Sequence, residues 1–420
     1  MNTIVDVLEH QAEHRPDALY TRFVDSDDEV TELGYMAAWQ AARRWAAHLS
    51  RAGLSPDQPV ILSLANQPDF VGAYFGSLLM GAIPVPVAPA IKPDPSDPRL
   101  VMIAERLAFL GARHVVLPRD AADVARTCLA AAPTGTVVLT ADDLPFDAPA
   151  ADTFPETDPD ALGLIQFSSG TAGAAKAVEL THRALLAQVD VLNGAIGSDS
   201  TDSALSWLPF FHDMGLVGFL LAPAYVGASV TILRTEAFLR NPRSWPRALT
   251  RFGATVTGGP PSAFGLVARF VREAERGELD LSSVRLALVA AETIEPPVLR
   301  AFAERFEPSG LRTETLTPGY GMAENALCVT LAPADSRFWV DVIDPEILQR
   351  EGRAQPPNGA ARREVTSVGR PVAGTEVVIA DATGRHLEER HVGEILVKSG
   401  SLMRGYRGEV EPAVRDGWLW

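Results

Sequence analysis

The sequence predicts an α/β protein: two parallel-type sheets flanked by helices in an αβαβα arrangement, with a small β subdomain towards the C-terminal end. Three observations predict it. Apolar runs of strand length alternate with stretches of helical period up to about Thr330, which implies parallel strands covered on both faces. The plan of residues 1–160 repeats over 161–332. Beyond that the texture changes, and 365–398 carries short β-rich runs with Gly369, Gly374, Gly384 and Gly393 as turns. A chain of 420 residues also exceeds one compact core, which stops growing near ~250–300 residues, so two or three subdomains are expected.

In order, Ile4, Val5, Leu8 and Ala12 recur at helical spacing and open the chain with an amphipathic helix. Runs 20–24 and 29–33 flank an Asp-Ser-Asp-Asp turn and predict a hairpin. Helix 35–50 ends near Gly53; strand 60–64, helix 68–80, strand 83–87, helix 100–110, strand 114–117 and helix 121–131 follow. An acidic, Pro-containing linker spans 142–160. The second half runs strand 204–208, helix 215–225, strand 229–233, helix 242–251, strand 254–257, helix 262–275, strand 286–290 and helix 297–306.

Composition narrows the class. Hydrophobic residues make up 47% and charged residues 21%, as in a folded globular protein. The net charge of −16 argues against nucleic acid or an anionic membrane as partner. No apolar run approaches the ~20 residues of a membrane span, and the N-terminus carries no signal-peptide pattern. Cys128 and Cys328 lack metal-like spacing and read as buried free thiols in a reducing compartment, so a cytoplasmic location is expected.

The chain is organised around residues 162–182. An apolar strand, 162–167, runs into Ser168, Ser169, Gly170, Thr171 and Gly173, then Lys176, a short strand 177–180 and an N-cap at Thr181. Glycines let amides approach phosphate oxygens, hydroxyls add donors and a lysine adds charge. It is not the Gly-Lys-Ser/Thr phosphate loop, since Lys176 stands between alanines, and such clusters also mark ordinary turns. Lys92, Lys176 and Lys398 are the only lysines.

Four further stretches carry candidate chemistry. Residues 207–216, Trp-Leu-Pro-Phe-Phe-His-Asp-Met-Gly-Leu, hold His212, Asp213 and Met214 between a strand end and a helix; a capping pair would look the same. Gly258, Gly259, Pro260 and Pro261 leave room for a ligand or simply turn the chain. Ala290, Ala291 and Glu292 end an apolar strand, where ligands bind in open α/β sheets. In 318–324, Pro-Gly-Tyr-Gly-Met-Ala-Glu, Tyr320 can lie flat on a base and Glu324 can hold Mg2+, or the pair can be core aromatic and helix-start acid.

Taken in order, these motifs resemble the adenylate-forming superfamily, which includes acyl-CoA synthetases, luciferases, peptide-synthetase adenylation domains and fatty acyl-AMP ligases. The two residues flanking Lys176 depart from it: the family usually has Pro at Ala175 and Gly at Ala177, changes that remove no phosphate donor. The His-Asp-Met-Gly of 212–215 and the long stretch 333–366, taken as a subfamily insertion before a β-rich 367–420, are similar to the fatty acyl-AMP ligase branch.

The resemblance implies ATP and Mg2+ as cofactors, a fatty carboxylic acid as substrate and an acyl carrier protein as acceptor. It implies that Ser168, Ser169, Gly170, Thr171, Gly173 and Lys176 hold phosphates and that Glu324 binds the metal. Tyr320, Gly321 and Met322 would lie on the adenine, with Ala291 and Glu292 lining the base pocket. His212 and Met214 would border the carboxylate and the acyl tunnel, with Gly259 and Pro260 along it. Thr171, Lys176, His212 and Glu324 form the implied catalytic set. The Asp-Gly-Trp-Leu-Trp of 416–420 resembles the start of a ribose-binding motif, so the chain is expected to continue into a mobile C-terminal domain that is absent here. An acyl-CoA synthetase, an amino-acid adenylation domain, kept open by Asp213, and a non-catalytic nucleotide- or acyl-binding module are the other readings.

Overall fold

Strands buried on both faces read as unbroken apolar runs and need helices above and below them. The computed structural model, which describes residues 1–25, 29–90, 94, 96–129, 132–143, 154–168, 175–411 and 413–420, has that layering. Its largest sheet has nine strands among the described residues. Their order is Arg370–Pro371, Cys328–Leu331, Leu316–Gly321, Leu286–Val289, Val256–Gly259, Ser203–Ser206, Ser229–Leu233, Leu19–Val24 and Val30–Gly34. Every pairing from Leu316–Gly321 to Leu19–Val24 is parallel, and both margins are antiparallel. A second sheet, Ile83–Pro86, Pro59–Leu62, His114–Val116 and Val137–Leu139, is parallel throughout.

The expected division at residue 160 does not follow the sheets. The N-terminal hairpin pairs with Ser229–Leu233, so residues 19–34 complete the sheet of the second half. The cause is the parallel register of Thr21 with Val230 and Phe23 with Ile232, which buries Tyr20 and Phe23 in the main core.

The hairpin Leu162–Phe167 and Ala177–Thr181 belongs to both cores. Strand alternation puts Leu164, Val178 and Leu180 into the main core and Ile165 and Ala177 into the core of the second sheet. Its loop therefore emerges at the junction of the two. Thr181 caps helix His182–Ile196 by accepting from the Ala184 amide at 3.1 Å.

Two expected helices differ. The stretch expected as one helix over 215–225 is π-helical from Met214 to Leu221 and α-helical only over Ala222–Val226, because Pro223 cannot supply an amide to a continuous ladder. The stretch 262–275 breaks at Val271, whose carbonyl accepts from the Arg305 guanidinium, leaving helices Pro261–Phe270 and Glu273–Arg276.

Residues 333–366 form a two-stranded sheet, Val340–Ile343 with Arg363–Thr366, enclosing helix Pro345–Glu351. Ile343 is buried, Phe338 is half-buried against the main core and Trp339 is 61% exposed, so ion pairs carry much of the contact. Arg300 binds Glu364 at 2.8 and 3.0 Å, Arg312 binds Asp335 at 2.8 Å, and Arg390 binds Asp341 at 2.8 Å.

The C-terminal region forms the antiparallel sheet Glu376–Ala380, Glu394–Lys398, Trp418–Leu419 and Val414–Arg415, with Asp416 and Gly417 both at positive φ in its final hairpin turn. One piece leaves it: Gly405–Tyr406 adds a third strand to the hairpin of 162–181. No helix among the described residues is long and apolar enough to cross a membrane.

Candidate active site

A cleft of about 870 Å³ opens where the strand ends of the main sheet meet the hairpin loop. The neck of that loop is closed by its own ends. The Ser168 amide donates to the Lys176 carbonyl at 2.9 Å, and the Lys176 amide donates to Ser168 Oγ at 3.3 Å. Ser169, Gly170, Thr171 and Gly173 lie outside the described residues. Ser168 and Lys176 line the cleft.

Opposite stands the turn after Leu316–Gly321. A Cβ at Gly321 would overlap the Leu327 carbonyl, so glycine is needed for the chain to fold back and form the short 3-10 turn Ala323–Asn325. Tyr320, Gly321, Met322 and Glu324 all line the cleft. Burial and the Glu324 carboxylate push the Tyr320 phenol above its ordinary range. Ala291 also lines it, at φ 74°, a left-handed conformation that costs energy for a residue with a side chain.

On a third side, His212 and Met214 sit where the chain leaves Ser203–Ser206 and enters the π-helix. His212 Nδ1 lies 2.7 Å from Asp213 Oδ1. Burial disfavours the charged imidazole, but the Asp213 carboxylate outweighs it and raises the His212 pKa. The Met214 amide donates to Asp213 Oδ1 at 2.6 Å, so one carboxylate both caps the helix and holds the histidine. Gly215 permits this, because a Cβ there would overlap the Pro209 carbonyl.

Behind Met214 is an apolar pocket of about 40 Å³ that shares Met214, Ala290, Tyr320, Gly321 and Leu327 with the cleft and continues to Leu192, Leu288 and Cys328. Burial pushes the Cys328 thiol up to about 12. The side chain of Cys128 is outside what is described.

Three expected site residues are not brought to the cleft. The Glu292 carboxylate turns away to accept from the Ser262 amide at 3.1 Å and hydroxyl at 2.9 Å, capping helix Pro261–Phe270. Gly259 packs against Trp207 and Trp245, and Pro260 precedes that helix. It is Gly258 that faces Met214: a Cβ there would lie 3.1 Å from Met214 Cε.

The sequence reading missed the segment from Arg404 to Glu409. Tyr406 donates its hydroxyl to Glu324 Oε1 at 2.7 Å, and Lys176 Nζ lies 4.2 Å from the centre of the Tyr406 ring. Glu409 Oε1 is 3.1 Å from Lys176 Nζ. The segment is held by Glu179, whose carboxylate accepts from Arg404 at 3.1 and 2.7 Å and from Arg407 at 2.9 Å. A signal existed: Glu179 is an acid in an otherwise apolar strand, and a buried carboxylate needs cationic partners.

No cluster of three or more metal-ligating side chains occurs among the described residues. Mg2+, however, takes oxygen ligands, keeps waters and is commonly held by one or two carboxylates together with substrate phosphates. Glu324 fits that pattern: among the described residues nothing bonds its Oε2, and the Lys176 ammonium lines the same cleft.

Residues 8–407 match the AMP-binding enzyme family. The chain is 30% identical over 439 residues to the long-chain-fatty-acid–AMP ligase FadD32 of Mycolicibacterium smegmatis, covering 98% of this chain and 67% of the relative. It is 27% identical to the medium-chain-fatty-acid–[acyl-carrier-protein] ligase JamA of Moorena producens, covering 98% and 70%. The fatty acyl-adenylate ligase of L. pneumophila, solved with acyl adenylate and pyrophosphate, superposes with a TM-score of 0.91 at 25% identity, over 99% of this chain and 72% of that one. A family match across nearly the whole chain, joined to a cleft with a lysine on one wall and a carboxylate on the other, leaves one conclusion: the chain belongs to the AMP-binding, adenylate-forming enzymes and is of the fatty acyl-AMP ligase type.

Proposed function

We propose that the chain activates a fatty acid as its acyl-adenylate for delivery to an acyl carrier protein. The fatty carboxylate oxygen attacks the α-phosphorus of ATP, the bond from that phosphorus to the β-phosphate bridge breaks, and pyrophosphate leaves. The carrier's phosphopantetheine thiol then takes the acyl group and AMP departs. The observation that carries this is the facing pair, Lys176 and Glu324, in one cleft with an apolar pocket behind Met214.

Such a step needs alignment and charge neutralisation rather than a protein nucleophile. Lys176, with Ser168, Ser169, Gly170, Thr171 and Gly173, would hold the phosphates. Glu324 would hold Mg2+, which when bound withdraws charge from the phosphate oxygens. Tyr320, Gly321, Met322 and Ala291 would hold the adenine, and the His212 imidazolium would draw in the carboxylate. The Asp213 carboxylate is occupied by the Met214 amide and by His212, which argues against its use for a substrate amine and hence against an amino acid. The buried thiol of Cys328 fits work in a reducing compartment, the cytoplasm.

Residues 333–366 support the carrier over free CoA as acceptor, because their ion pairs tie the body, through Arg300 and Arg312, to the C-terminal sheet region, through Arg390. The test is chromatography of products from ATP, Mg2+ and fatty acids of graded length, with holo carrier protein or CoA offered separately. Acyl-AMP and acyl-carrier should form with little acyl-CoA, and shortening 336–362 should raise acyl-CoA while sparing acyl-AMP. Rapid acyl-CoA formation by the unaltered enzyme would overturn the assignment.

A further inference from the structure

We infer that Tyr406 is a positioning residue of the nucleotide site, setting the Glu324 carboxylate on one wall while its ring seats Lys176 on the other. The inference rests on the reading of Glu324 and Lys176 just given. Its geometric basis is independent of any ligand. The Gly405–Tyr406 strand pairs with the strand that follows Lys176, Gly405 with Glu179 and Tyr406 with Val178. The Arg404 amide donates to the Glu179 carbonyl and the Arg407 amide to the Ala177 carbonyl, at 2.8 and 2.9 Å. On the other side, the Met403 amide donates to the carbonyl of Glu324 itself at 2.8 Å. The main chain around Tyr406 is thus tied to both walls, and the side chain completes the bridge.

Each part of the side chain has a separate task. The hydroxyl occupies Glu324 Oε1 and leaves Oε2 for a cation, which fixes the carboxylate in one rotamer. The ring face holds the Lys176 ammonium by a cation–π contact and, with the Glu409 carboxylate 3.1 Å from the same nitrogen, orients its charge. Phenylalanine would keep the ring and lose the donor, and leucine would lose both.

The test is calorimetric titration of the purified chain with ATP, once with Mg2+ and once with EDTA, for the parent, Tyr406→Phe, Tyr406→Leu and Glu324→Gln. The ratio of the two affinities is read on the same protein, so a general loss of fold cancels. Tyr406→Phe should weaken binding of ATP with Mg2+ about tenfold, as for a lost hydrogen bond to a charged group, and leave binding in EDTA unchanged. Tyr406→Leu should weaken both. If Tyr406→Phe keeps the parent's Mg2+ advantage while Glu324→Gln loses it, Tyr406 has no positioning role and the metal reading stands. If the parent itself shows no Mg2+ advantage, the reading of Glu324 falls and takes the inference with it.

Discussion

Replacing Glu179 with Gln tests the clamp that holds the Gly405–Tyr406 strand against the hairpin of 162–181. Glu179 is 7% exposed and accepts three bonds from two guanidinium groups. A hydrogen bond to a charged group contributes about 1.5–3 kcal/mol. The Arg404 side chain is 52% exposed and its share is reduced by solvent, whereas Arg407 is 30% exposed and keeps more of its own. A glutamine retains one acceptor, so the net loss should be about 2–3 kcal/mol. That loss is local, since it falls on the docking of 403–409 rather than on either core. Hydrogen exchange followed by mass spectrometry reads it directly. The Arg404 and Arg407 amides, which donate to the Glu179 and Ala177 carbonyls, should exchange roughly 30- to 150-fold faster, with the peptides of Ser229–Leu233 unchanged. Unchanged exchange over 403–409 in a folded Glu179→Gln protein would refute the reasoning.

Three further outcomes follow from the same geometry. Asp202 is buried, which opposes ionisation, but bonds from Arg285, Thr255 and Ser198 prevail and hold its pKa at about 2. The depressed value means stability present above the ordinary carboxylate range and lost as pH falls towards 2; Asp202→Asn should lower the urea midpoint at pH 7 by the equivalent of about 2 kcal/mol and flatten the acid limb of the stability curve. Gly215→Ala would press a methyl group into the Pro209 carbonyl and should displace His212 and Asp213, raising the fatty-acid KM by more than tenfold, on the order of 2 kcal/mol of lost positioning, with ATP binding by calorimetry preserved. Because Asp213 raises the pKa of His212, fatty-acid affinity should be highest at low pH and decline as pH rises through that raised value, and His212→Gln should show no such decline when KM is measured across pH 6–9.

Local pattern sufficed for elements that bury themselves by their own periodicity. The hairpin of 162–181 was legible because an apolar run, a cluster of small residues and a capping threonine agree with one another; the structure has the two strands and the Thr181 cap, while the cluster at 169–174 lies outside the described residues. Leu316–Gly321 was not legible as a strand, since Pro318, Gly319 and Gly321 signal a turn; its pairing with Leu286–Val289 and Cys328–Leu331 overrides that preference. The π-helical path of Met214–Leu221 likewise depends on the Pro209 carbonyl and Pro223, not on hydropathy. Tyr406 was missed for a different reason. Arg-Gly-Tyr-Arg reads locally as a polar turn, and the carboxylate that organises it, Glu179, lies 225 residues from Arg404. Glu292 stood at a strand end suited to a ligand, yet the helix N-terminus at Pro261 offered its carboxylate a nearer set of donors.

The N-terminal hairpin has a consequence for synthesis. Leu19–Val24 leaves the ribosome early, but Tyr20 donates to the Leu220 carbonyl 200 residues later, and the strand pairs with Ser229–Leu233. At ~5–20 residues per second the partner follows after roughly 10–40 s, during which Tyr20 and Phe23 have no sheet to enter. The same geometry makes the N-terminus a protective margin. A chain started after Gly34 would lose the flank of Ser229–Leu233 and present Val230 and Ile232 on an open parallel edge, an invitation to pair with another copy. Expression of such shortened chains should therefore yield aggregates even though every residue of the cleft is retained.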